Sequence, residues 1–443
     1  MMDESIYKER RAAFLKQMKK KSVAILFSAP QKIRSNDTEY PYRQDSDFYY
    51  LTGFKEDNSV LVLAKGEKKS KEVLFVQKKD QALELWTGKR LGVDSAKERF
   101  DMDKIYAADS LHEKLKEILT NKKTAYFDLF SDDKRVLHVR DVLGEITSDR
   151  GAKYTPTEFL HVRDIPHAMR LIKTPAEIEI IKKALSITKN AHHQAMRMKK
   201  EGLYEYELQA MFEYEFKRNG AYSDAYTTIV AGGDNGNTLH YVENSQRLKK
   251  GELILIDAGC EYEMYASDIT RTIPVSGKFS KAQKEIYELV LATEIKVIDS
   301  IKPGVKRSQL QEIARELLCE GMVKLGILKG DVKELLKDKK DKAYFPHGIG
   351  HWMGLDVHDT CPYKDKNGKE MPLCEGMVLT IEPGLYFREE DTAIPKKYRG
   401  IAVRIEDDIL VTKEGCENLS CEVAKTLSEV ESLFDVTPAG KTF

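Results

Sequence analysis

Residues 251–275, GELILIDAGCEYEMYASDITRTIPV, decide the fold of this chain. An apolar run ends at Asp257, and a second β-like run begins at Asp268. We predict that the two runs form a hairpin turning about Tyr262 and Glu263, which would set the two carboxylates opposite one another with Cβ atoms about 5 Å apart. Carboxylates that close repel, so either one of them takes up a proton or a cation binds between them.

Two further acids stand at comparable positions along the chain. Glu382 ends the strand-like run MVLTIE and is followed at once by Pro383, so we predict that it lies at the mouth of a sheet. In GIAVRIEDDILV the alternation of side chains places Arg404 and Glu406 on one face, with branched aliphatic residues on the other. Taken singly, a strand-end acid is more often a cap or a solvated side chain, so the prediction of a site depends on the combination.

Three of the ten histidines fall within twelve residues, in PHGIGHWMGLDVHD, as His347, His351 and His358. The glycines between them disfavour a regular helix, and we predict a loop or strand that approaches a ligand closely. A fourth histidine, His240, follows the glycine-rich turn AGGDNGN. The pattern alone leaves open which histidine binds a metal and which is structural.

Four carboxylates and one imidazole form a hard, oxygen-rich donor set. Such a set suits Mn²⁺, Mg²⁺, Co²⁺ or Fe²⁺ better than a thiolate zinc site does. Two ions about 3.5 to 4 Å apart, bridged by carboxylates, would explain why so many acids gather.

Composition limits the partners of the chain. The 72 Lys+Arg balance the 72 Asp+Glu, so no overall field recruits nucleic acid or an anionic membrane surface. The N-terminal residues are charged throughout, no run of about 18 apolar residues occurs, and all six cysteines lie in the second half without a C-x-x-C pair. We expect a cytoplasmic protein with reduced thiols and a small neutral or zwitterionic substrate.

The length of 443 residues favours two domains. Runs such as SVAILFS, SVLVLA and EVLFV alternate with charged helical stretches and predict a mixed α/β domain over residues 1–168. Thr174-Pro175-Ala176-Glu177 then has the pattern of a helix start, with an N-cap hydroxyl and a capping carboxylate. In residues 169–443 helices precede strands twice, which indicates a duplicated α-then-β half; the predicted stretches are 174–219, 226–275, 281–326 and 376–412.

The ordered motifs LIDAGCEY, SDITRT, HGIGHWMGLDVHD, IEPGLY and RIEDD strongly resemble the metallopeptidases of the pita-bread fold, and within them the Xaa-Pro aminopeptidases (aminopeptidase P). The likeness extends over nearly the whole chain, including NDTEYPYRQDSDFYYLTGF and ELWTGKRLG. It implies an α/β (α+β) protein with a C-terminal pita-bread domain of pseudo-twofold halves. The smaller N-terminal domain would serve oligomerisation and the edge of the active site, in a homodimer or homotetramer.

The resemblance also implies a ligand set for two divalent ions, with Mn²⁺ expected and Co²⁺, Zn²⁺ or Fe²⁺ as alternatives. The ligands would be Asp257, Asp268, His351, Glu382 and Glu406. Asp268 and Glu406 would bridge both ions. In the family the ligand histidine is followed seven residues later by a second histidine, which assigns ligation to His351 and not to His358.

The residues around the substrate follow from the same likeness. They would be Tyr226, His240, His347, His358, Tyr386 and Arg404. Glu382 would carry a proton to the departing proline nitrogen, while His358 and His240 would act as catalytic histidines. Trp86 and Asp37 would reach a neighbouring subunit's active site, and Arg170 would meet Asp37.

The implied function is metal-dependent release of the N-terminal residue from peptides with proline in the second position, through a hydroxide that bridges two divalent ions. The closest alternative is a dipeptidase of the same fold that cleaves only Xaa-Pro dipeptides. A methionine aminopeptidase fits less well, because of the large N-terminal domain and His347. A non-catalytic member that uses the fold for binding is the alternative from another class.

Overall fold

The computed structural model describes residues 2–131, 134–148, 151 and 154–435. The chain divides into two compact units, Met1–Met169 and Arg170–Phe443, here called unit 1 and unit 2. In the described part of the chain, no helix is both long enough and apolar enough to cross a membrane.

Unit 1 is a mixed α/β unit. Its helices are α1 Glu4–Gln17, α2 Ser46–Thr52, α3 Gln81–Thr87, α4 Gly92–Arg99, α5 Leu111–Leu119, α6 Lys134–Ser148 and α7 Asp164–Arg170, the last of which reaches the first residue of unit 2. Its strands are β1 Ser22–Phe27, β2 Ile33–Ser35, β3 Thr38–Glu39, β4 Val60–Lys65, β5 Ser70–Val76, β6 Lys104–Ala107, β7 Thr124–Phe127 and β8 Glu158–His161.

The main sheet of unit 1 has the strand order β6-β5-β4-β1-β7-β8. β1 pairs antiparallel with β4 and parallel with β7. The central strands are buried along nearly their whole length because helices such as α5 and α6 cover the sheet, which is why their sequences are almost purely aliphatic. The predicted runs SVAILFS, SVLVLA and EVLFV correspond to β1, β4 and β5.

Unit 2 carries the duplicated order of elements. Its helices are α8 Pro175–Arg197, α9 Glu205–Arg218, α10 Lys281–Asp299, α11 Arg307–Lys324, α12 Val332–Lys337 and α13 Leu427–Asp435. Its strands are β9 Ser223–Asp224, β10 Ile229–Gly232, β11 Leu253–Ala258, β12 Cys260–Glu261, β13 Ile269–Pro274, β14 Val378–Ile381, β15 Gly384–Phe387, β16 Ile401–Arg404, β17 Asp407–Val411 and β18 Cys416–Asn418.

Two successive halves make up unit 2. In the first half, α8 and α9 precede the sheet β10-β11-β13; in the second, α10 and α11 precede the sheet β14-β17-β18 and the pair β15-β16. Both first helices begin at predicted capping boxes, formed by Thr174 with Glu177 and by Ser280 with Gln283. The strands β11, β13, β14 and β17 are fully buried, so any polar side chain they carry must find a partner inside the protein.

The turn predicted for the decisive hairpin is wrong by one residue. Glu263 and Met264 occupy its centre: both have positive φ, of 48° and 73°, and Tyr262 and Tyr265 exchange two backbone hydrogen bonds around them. A two-residue turn of this kind requires positive φ at both central positions, and it matches the right-handed twist of the strands.

This shift changes the pairing of the first two acids. Asp257 lies opposite Thr270 in the β11–β13 ladder and not opposite Asp268. Moving a turn by one residue moves the register by two, so the two acids keep a common face and become diagonal neighbours. The close crossing at Gly259, where a Cβ atom would lie 1.7 Å from the carbonyl oxygen of Ser267, explains why the chain needs glycine there.

Candidate metal and substrate site

A cavity of about 510 Å³ in unit 2 brings together the acids and histidines that the sequence singles out. Its lining includes Asp257, Asp268, His351, Glu382 and Glu406, together with Tyr226, His240, His347, His358 and Arg404. Both halves of unit 2 therefore contribute to one site.

The first half supplies two aspartates: Asp257 lies near the end of β11, and Asp268 lies just before β13. The hydroxyl of Tyr226 lies 2.6 Å from Asp257 Oδ1 and within very short hydrogen-bonding distance of Asp268 Oδ1. Burial and the two carboxylates raise the pKa of Tyr226 well above its ordinary value, so the phenol keeps its proton. One proton cannot be donated to both carboxylates at once. The pair therefore needs a further proton or a cation.

The second half supplies His351 on a glycine-rich loop. Gly350 packs directly against β14, where a Cβ atom would lie 1.9 Å from the carbonyl oxygen of Thr380, and the backbone of His351 bonds both the hydroxyl and the backbone of that threonine. His351 Nδ1 lies 3.1 Å from the carbonyl oxygen of Trp352, which can only accept, so Nδ1 carries the proton. Nε2 is then a lone-pair donor, and it faces Asp268 at 3.4 Å and Glu382 at 3.9 Å.

Glu382 and Glu406 come from strand ends of the second half. Glu382 follows β14 directly, and Glu406 lies between β16 and β17. Glu406 is tied to the first half, because its backbone N–H donates to the carbonyl of Thr270 at 3.1 Å and its carboxylate accepts from the Thr270 hydroxyl at 2.7 Å. Thr270 thus joins the two halves at the site.

The cluster fits divalent cations. One ligand atom each from Asp268, His351 and Glu406 lies within 4.8 Å of the others, a spacing that a single ion can span. Burial, followed by repulsion from neighbouring carboxylates, raises the pKa values of Asp268 and Glu406 well above their usual range, and burial raises that of Glu382. Acids that are costly to ionise together become stable as anions beside a cation.

Arg404 connects the acid cluster to the aromatic side of the site. Its guanidinium donates to Asp257 Oδ2 at 2.6 Å, to the Thr270 hydroxyl at 3.2 Å and to the Tyr386 hydroxyl at 3.0 Å. The Tyr386 hydroxyl then lies 2.8 Å from Nε2 of His347, whose Nδ1 lies 2.8 Å from a carbonyl oxygen, that of Gly348. The proton of His347 is therefore on Nδ1, and Tyr386 donates to Nε2.

Two histidines of the cavity, His347 and His358, are neutral near pH 7. Burial, with Arg404 nearby, lowers the pKa of His347 to about 4. Burial, with His351 and His240 nearby, lowers the pKa of His358. The rings of His351 and His358 stand edge to face with centroids 4.1 Å apart. His240 also lines the cavity and, like His358, is exposed.

Four residues of the predicted substrate set lie outside this lining. Tyr386 lines a neighbouring cavity; its hydroxyl bonds Arg404, and its ring lies edge to face with that of His347, at a centroid distance of 5.4 Å. Arg170 is buried and donates to Asp356 at 2.6 Å and to Asp359, so its guanidinium is engaged inside unit 2. Trp86, which is 84% exposed, and Asp37 lie on the surface of unit 1. Their contacts with a neighbouring subunit remain predictions.

Two residues that the sequence reasoning did not single out support the site. Thr270 lies two residues after Asp268 in the motif SDITRT, so strand alternation could have placed it on the same face. Arg307 donates to the carbonyl oxygen of Gly350, and its guanidinium carbon lies 4.4 Å from the centre of the Tyr363 ring. Because 43 residues separate Arg307 from Gly350, no local pattern could have revealed that contact.

Two family profiles match the chain. The profile of metallopeptidase family M24 matches residues 179–413, which include all five predicted ligands. The profile described as aminopeptidase P, N-terminal domain, matches residues 7–126. Both the mixed α/β class and the predicted family resemblance are thereby confirmed.

Relatives match over nearly the full length. The chain is 42% identical over 429 residues to the Xaa-Pro aminopeptidase of Escherichia coli (strain K12), covering 96% of this chain and 97% of that protein. It is 37% identical to human Xaa-Pro aminopeptidase 3 over 413 residues, covering 92% of this chain and 80% of the human one. The zinc-substituted E. coli aminopeptidase P in complex with product superposes with a TM-score of 0.96 at 40% identity, covering 99% of this chain and all of the other. The chain therefore belongs to metallopeptidase family M24, and within it to the Xaa-Pro aminopeptidases.

Proposed function

We propose that this protein releases the N-terminal residue from peptides whose second residue is proline, using two divalent ions. The observation that carries the proposal is the enclosed cluster in which ligand atoms of Asp268, His351 and Glu406 lie within 4.8 Å of one another. It occurs in a chain that shares 42% identity with a bacterial Xaa-Pro aminopeptidase along almost its whole length.

The ions would be held by Asp257, Asp268, His351, Glu382 and Glu406. When bound, they would supply a water of lowered pKa and polarise the scissile carbonyl group. We propose Mn²⁺ as the resident metal because carboxylate oxygens dominate the donor set.

Glu382 is the proposed proton carrier. Burial raises the pKa of its carboxyl group, which suits a residue that takes up a proton and later gives it away. The acceptor would be the nitrogen of proline as the bond to the first residue breaks. The carboxylate of Glu382 lies 3.9 Å from Nε2 of His351, one of the proposed ligands.

His358 is the proposed donor to the carbonyl oxygen of the first residue. Its lowered pKa keeps the imidazole neutral at pH 7, and a neutral ring still has one N–H to donate. A donor fixed where negative charge develops lowers the barrier more than one that must reorient. We propose that His240, on the same cavity, assists in positioning the substrate.

The requirement for proline has a physical basis in the leaving group. An Xaa-Pro bond has no N–H on its proline side, and the ring restricts the backbone, so a peptidase that pairs with an extended strand loses its donor. We propose that His347 and Arg404, held by the Tyr386 hydroxyl, form the wall that accepts the ring.

Hydrolysis of short peptides by the metal-free protein, after addition of Mn²⁺, Co²⁺ or Zn²⁺ in turn, tests reaction, specificity and metal together. We expect release of alanine from Ala-Pro-Ala and no cleavage of Ala-Ala-Ala. Cleavage of Ala-Pro with Ala-Pro-Ala left intact would instead identify a strict dipeptidase. Metal binding without cleavage of either peptide would favour the non-catalytic alternative.

We further propose that the protein is a cytoplasmic homodimer or homotetramer. All six cysteines are free thiols, which suits a reducing compartment. In α3 of unit 1, Leu85 and Trp86 are 81% and 84% exposed, which is unusual for side chains of this size unless a partner covers them. Light scattering of the wild type and of Trp86→Ala tests this: we expect an oligomer that the substitution weakens, and a monomeric wild type would contradict the proposal.

A further inference from the structure

A second cavity of about 440 Å³ lies beside the proposed catalytic cavity in unit 2. Leu239 lines both cavities. At two places, neighbouring residues of the chain line different cavities. Leu239 is followed by His240 of the first cavity, and Pro346 of the second cavity is followed by His347 of the first. The second cavity therefore adjoins the side of the site at which the proline ring would lie.

One tyrosine separates the two cavities at this point. Tyr386 lines the second cavity, while its hydroxyl bonds Arg404 at 3.0 Å and His347 at 2.8 Å, and both of those residues line the first. An extended peptide advances about 3.3 Å per residue, so one or two residues beyond proline are enough to pass a wall one side chain thick. The volume also falls within the range of sites that bind small molecules.

The lining of the second cavity combines apolar surface with acidic charge. Leu239, Pro346 and the ring of Tyr344 give the apolar part. Three charged residues line it in addition, Arg388, Glu390 and Asp391, which leave a net charge of −1. Long basic side chains bury their methylene groups against apolar surface while their charged ends remain near solvent or an acid.

The acidic residues of the second cavity differ in the contacts that they make with other parts of the protein. Asp391 accepts from the Tyr344 hydroxyl at 3.0 Å and from the backbone of Ala393, so it has a structural role. Glu390 is exposed and lies 4.0 Å from Arg388, at the limit of an ion pair. Its carboxylate is thus the better placed of the two acids to meet a substrate cation.

We propose that the second cavity binds the residues that follow proline in the substrate, and that it favours lysine or arginine there. The inference rests on the proposed aminopeptidase function, since a strict dipeptidase has no residue to place in this cavity. Under this proposal, the residues that favour longer peptides are separate from the metal ligands.

The first experiment fills the cavity. Ala343 is exposed and lines it, at the end of a short turn of helix, while the adjacent Lys342 does not line it. We compare Ala343→Trp with Lys342→Trp on Ala-Pro and on Ala-Pro-Lys-Ala. The expected result is a KM for the tetrapeptide raised about tenfold in Ala343→Trp alone, with the dipeptide unchanged, because contacts in such pockets are worth this order of discrimination.

Two results for Ala343→Trp would contradict binding of the residues after proline in the second cavity: an equal loss of activity on both substrates, or no loss of activity on the tetrapeptide. Both presuppose a wild-type protein that cleaves the tetrapeptide. A wild type that cleaves no Xaa-Pro peptide of any length would instead contradict the proposed function, so the two failures are distinguishable.

The second experiment tests the charge. Glu390→Gln is compared with Glu389→Gln, since Glu389 is also exposed but does not line the cavity. The substrates are Ala-Pro-Lys-Ala and its norleucine analogue, which keeps the side-chain length and removes the charge. We expect the wild type and Glu389→Gln to prefer lysine by about two- to fivefold in kcat/KM at low salt, and Glu390→Gln to lose the preference. Equal use of both peptides by the wild type would refute the basic preference.

Discussion

The two halves of unit 2 follow the same order of elements but contribute differently to the metal site. The first half presents Asp257 and Asp268 on neighbouring antiparallel strands, 11 residues apart, with their hairpin register set by one tight turn. The second half presents a histidine from a loop and two glutamates from strand ends, spread over residues 351–406.

This difference separates local from long-range positioning. In the first half, the local pairing of β11 with β13 brings the aspartates together. In the second half, contacts between distant segments do so: Thr380 fixes the backbone of His351, and Thr270 of the first half fixes Glu406. The same order of helices and strands therefore does not determine how a site is built. The positions of the ligands depend on which segments the sheets bring close together.

The largest expected effect comes from removing one proposed metal ligand from each half. Asp268→Asn and Glu406→Gln should each lower kcat/KM on Ala-Pro-Ala on the order of 10³-fold, because a carboxamide keeps the shape of the side chain but loses the charge that balances the ions. Metal content by mass spectrometry should fall in both. Equal losses mean that the halves hold one joint centre.

An Asp268→Asn protein that kept its metal and its activity, beside an inactive Glu406→Gln protein, would assign the ions to the second half alone. Glu252→Gln provides a control from the same half, because this acid precedes β11 and lies outside the lining of the cavity.

The next effect concerns Arg404, which bonds residues of both halves. Arg404→Met should lower the free energy of unfolding by about 3 kcal/mol in metal-free protein, because it leaves Asp257 buried beside other acids without its cation. Addition of Mn²⁺ should reduce the difference from the wild type, since a bound cation replaces the lost charge. Urea denaturation with and without Mn²⁺ measures both quantities.

Arg404→Lys separates charge from geometry in the same assay. It should retain most of the metal-free stability but not the three directed contacts to Asp257, Thr270 and Tyr386. A difference between Arg404→Met and wild type that stayed constant on addition of metal would contradict a role for Arg404 as the counter-charge.

The comparison of halves also explains what the sequence could predict. Strand patterns could identify Asp257 and Asp268 because the two residues are close in the chain. The turn between them was misplaced by one residue. Its central residues, Glu263 and Met264, have positive φ, a conformation that the sequence does not indicate because neither residue is glycine. The common face of Arg404 and Glu406 followed from alternation alone, and both line the cavity.

Long-range contacts set the limit of that prediction. The choice of His351 among three histidines required the family resemblance, because the ring orientation depends on the Trp352 carbonyl and on Thr380. The position of Tyr386, which lines a second cavity while it contacts Arg404 and His347 of the first, could not be read from IEPGLY. Strand periodicity tells which face a side chain shares, not which cavity that face adjoins.

The loop that carries His351 in the second half should depend on a positioning arginine, Arg307. Arg307→Ala removes the donor to Gly350 and the contact with the Tyr363 ring, so the loop that carries His351 loses a support. We expect metal affinity about 10- to 100-fold weaker by titration calorimetry, as is usual when a group that orients a ligand is lost.

Lys302→Ala, which removes an exposed basic side chain just before α11, should bind metal like the wild type. Restoration of kcat in Arg307→Ala at saturating metal would show that the arginine positions the loop and takes no part in the reaction. An unchanged metal affinity would exclude a positioning role for Arg307.

The smallest effect concerns acid stability and again distinguishes the halves. Helix α8 of the first half carries His192 and His193, whereas α10 and α11 of the second half contain no histidine. Burial lowers the pKa of His192 from 6.5 to about 3 and that of His193 to about 4. Both stay neutral in the folded protein and become protonated near pH 6.5 in the unfolded chain, so stability is lost as the pH falls below 6.5.

Between pH 6.5 and pH 5 the fully buried His192 should cost the folded state about 2 kcal/mol, at roughly 1.4 kcal/mol per pH unit, and the partly exposed His193 should cost less. His192→Gln keeps a donor for the carbonyl of Ala258, 3.4 Å from Nε2 of His192, and cannot be protonated. Urea denaturation at both pH values, followed by the fluorescence of the buried Trp352, should show a shallower loss of stability in this variant than in the wild type. An unchanged pH dependence would exclude His192 as a source of the acid sensitivity; if His193→Gln gave the same result, the expected contrast between the halves would fail.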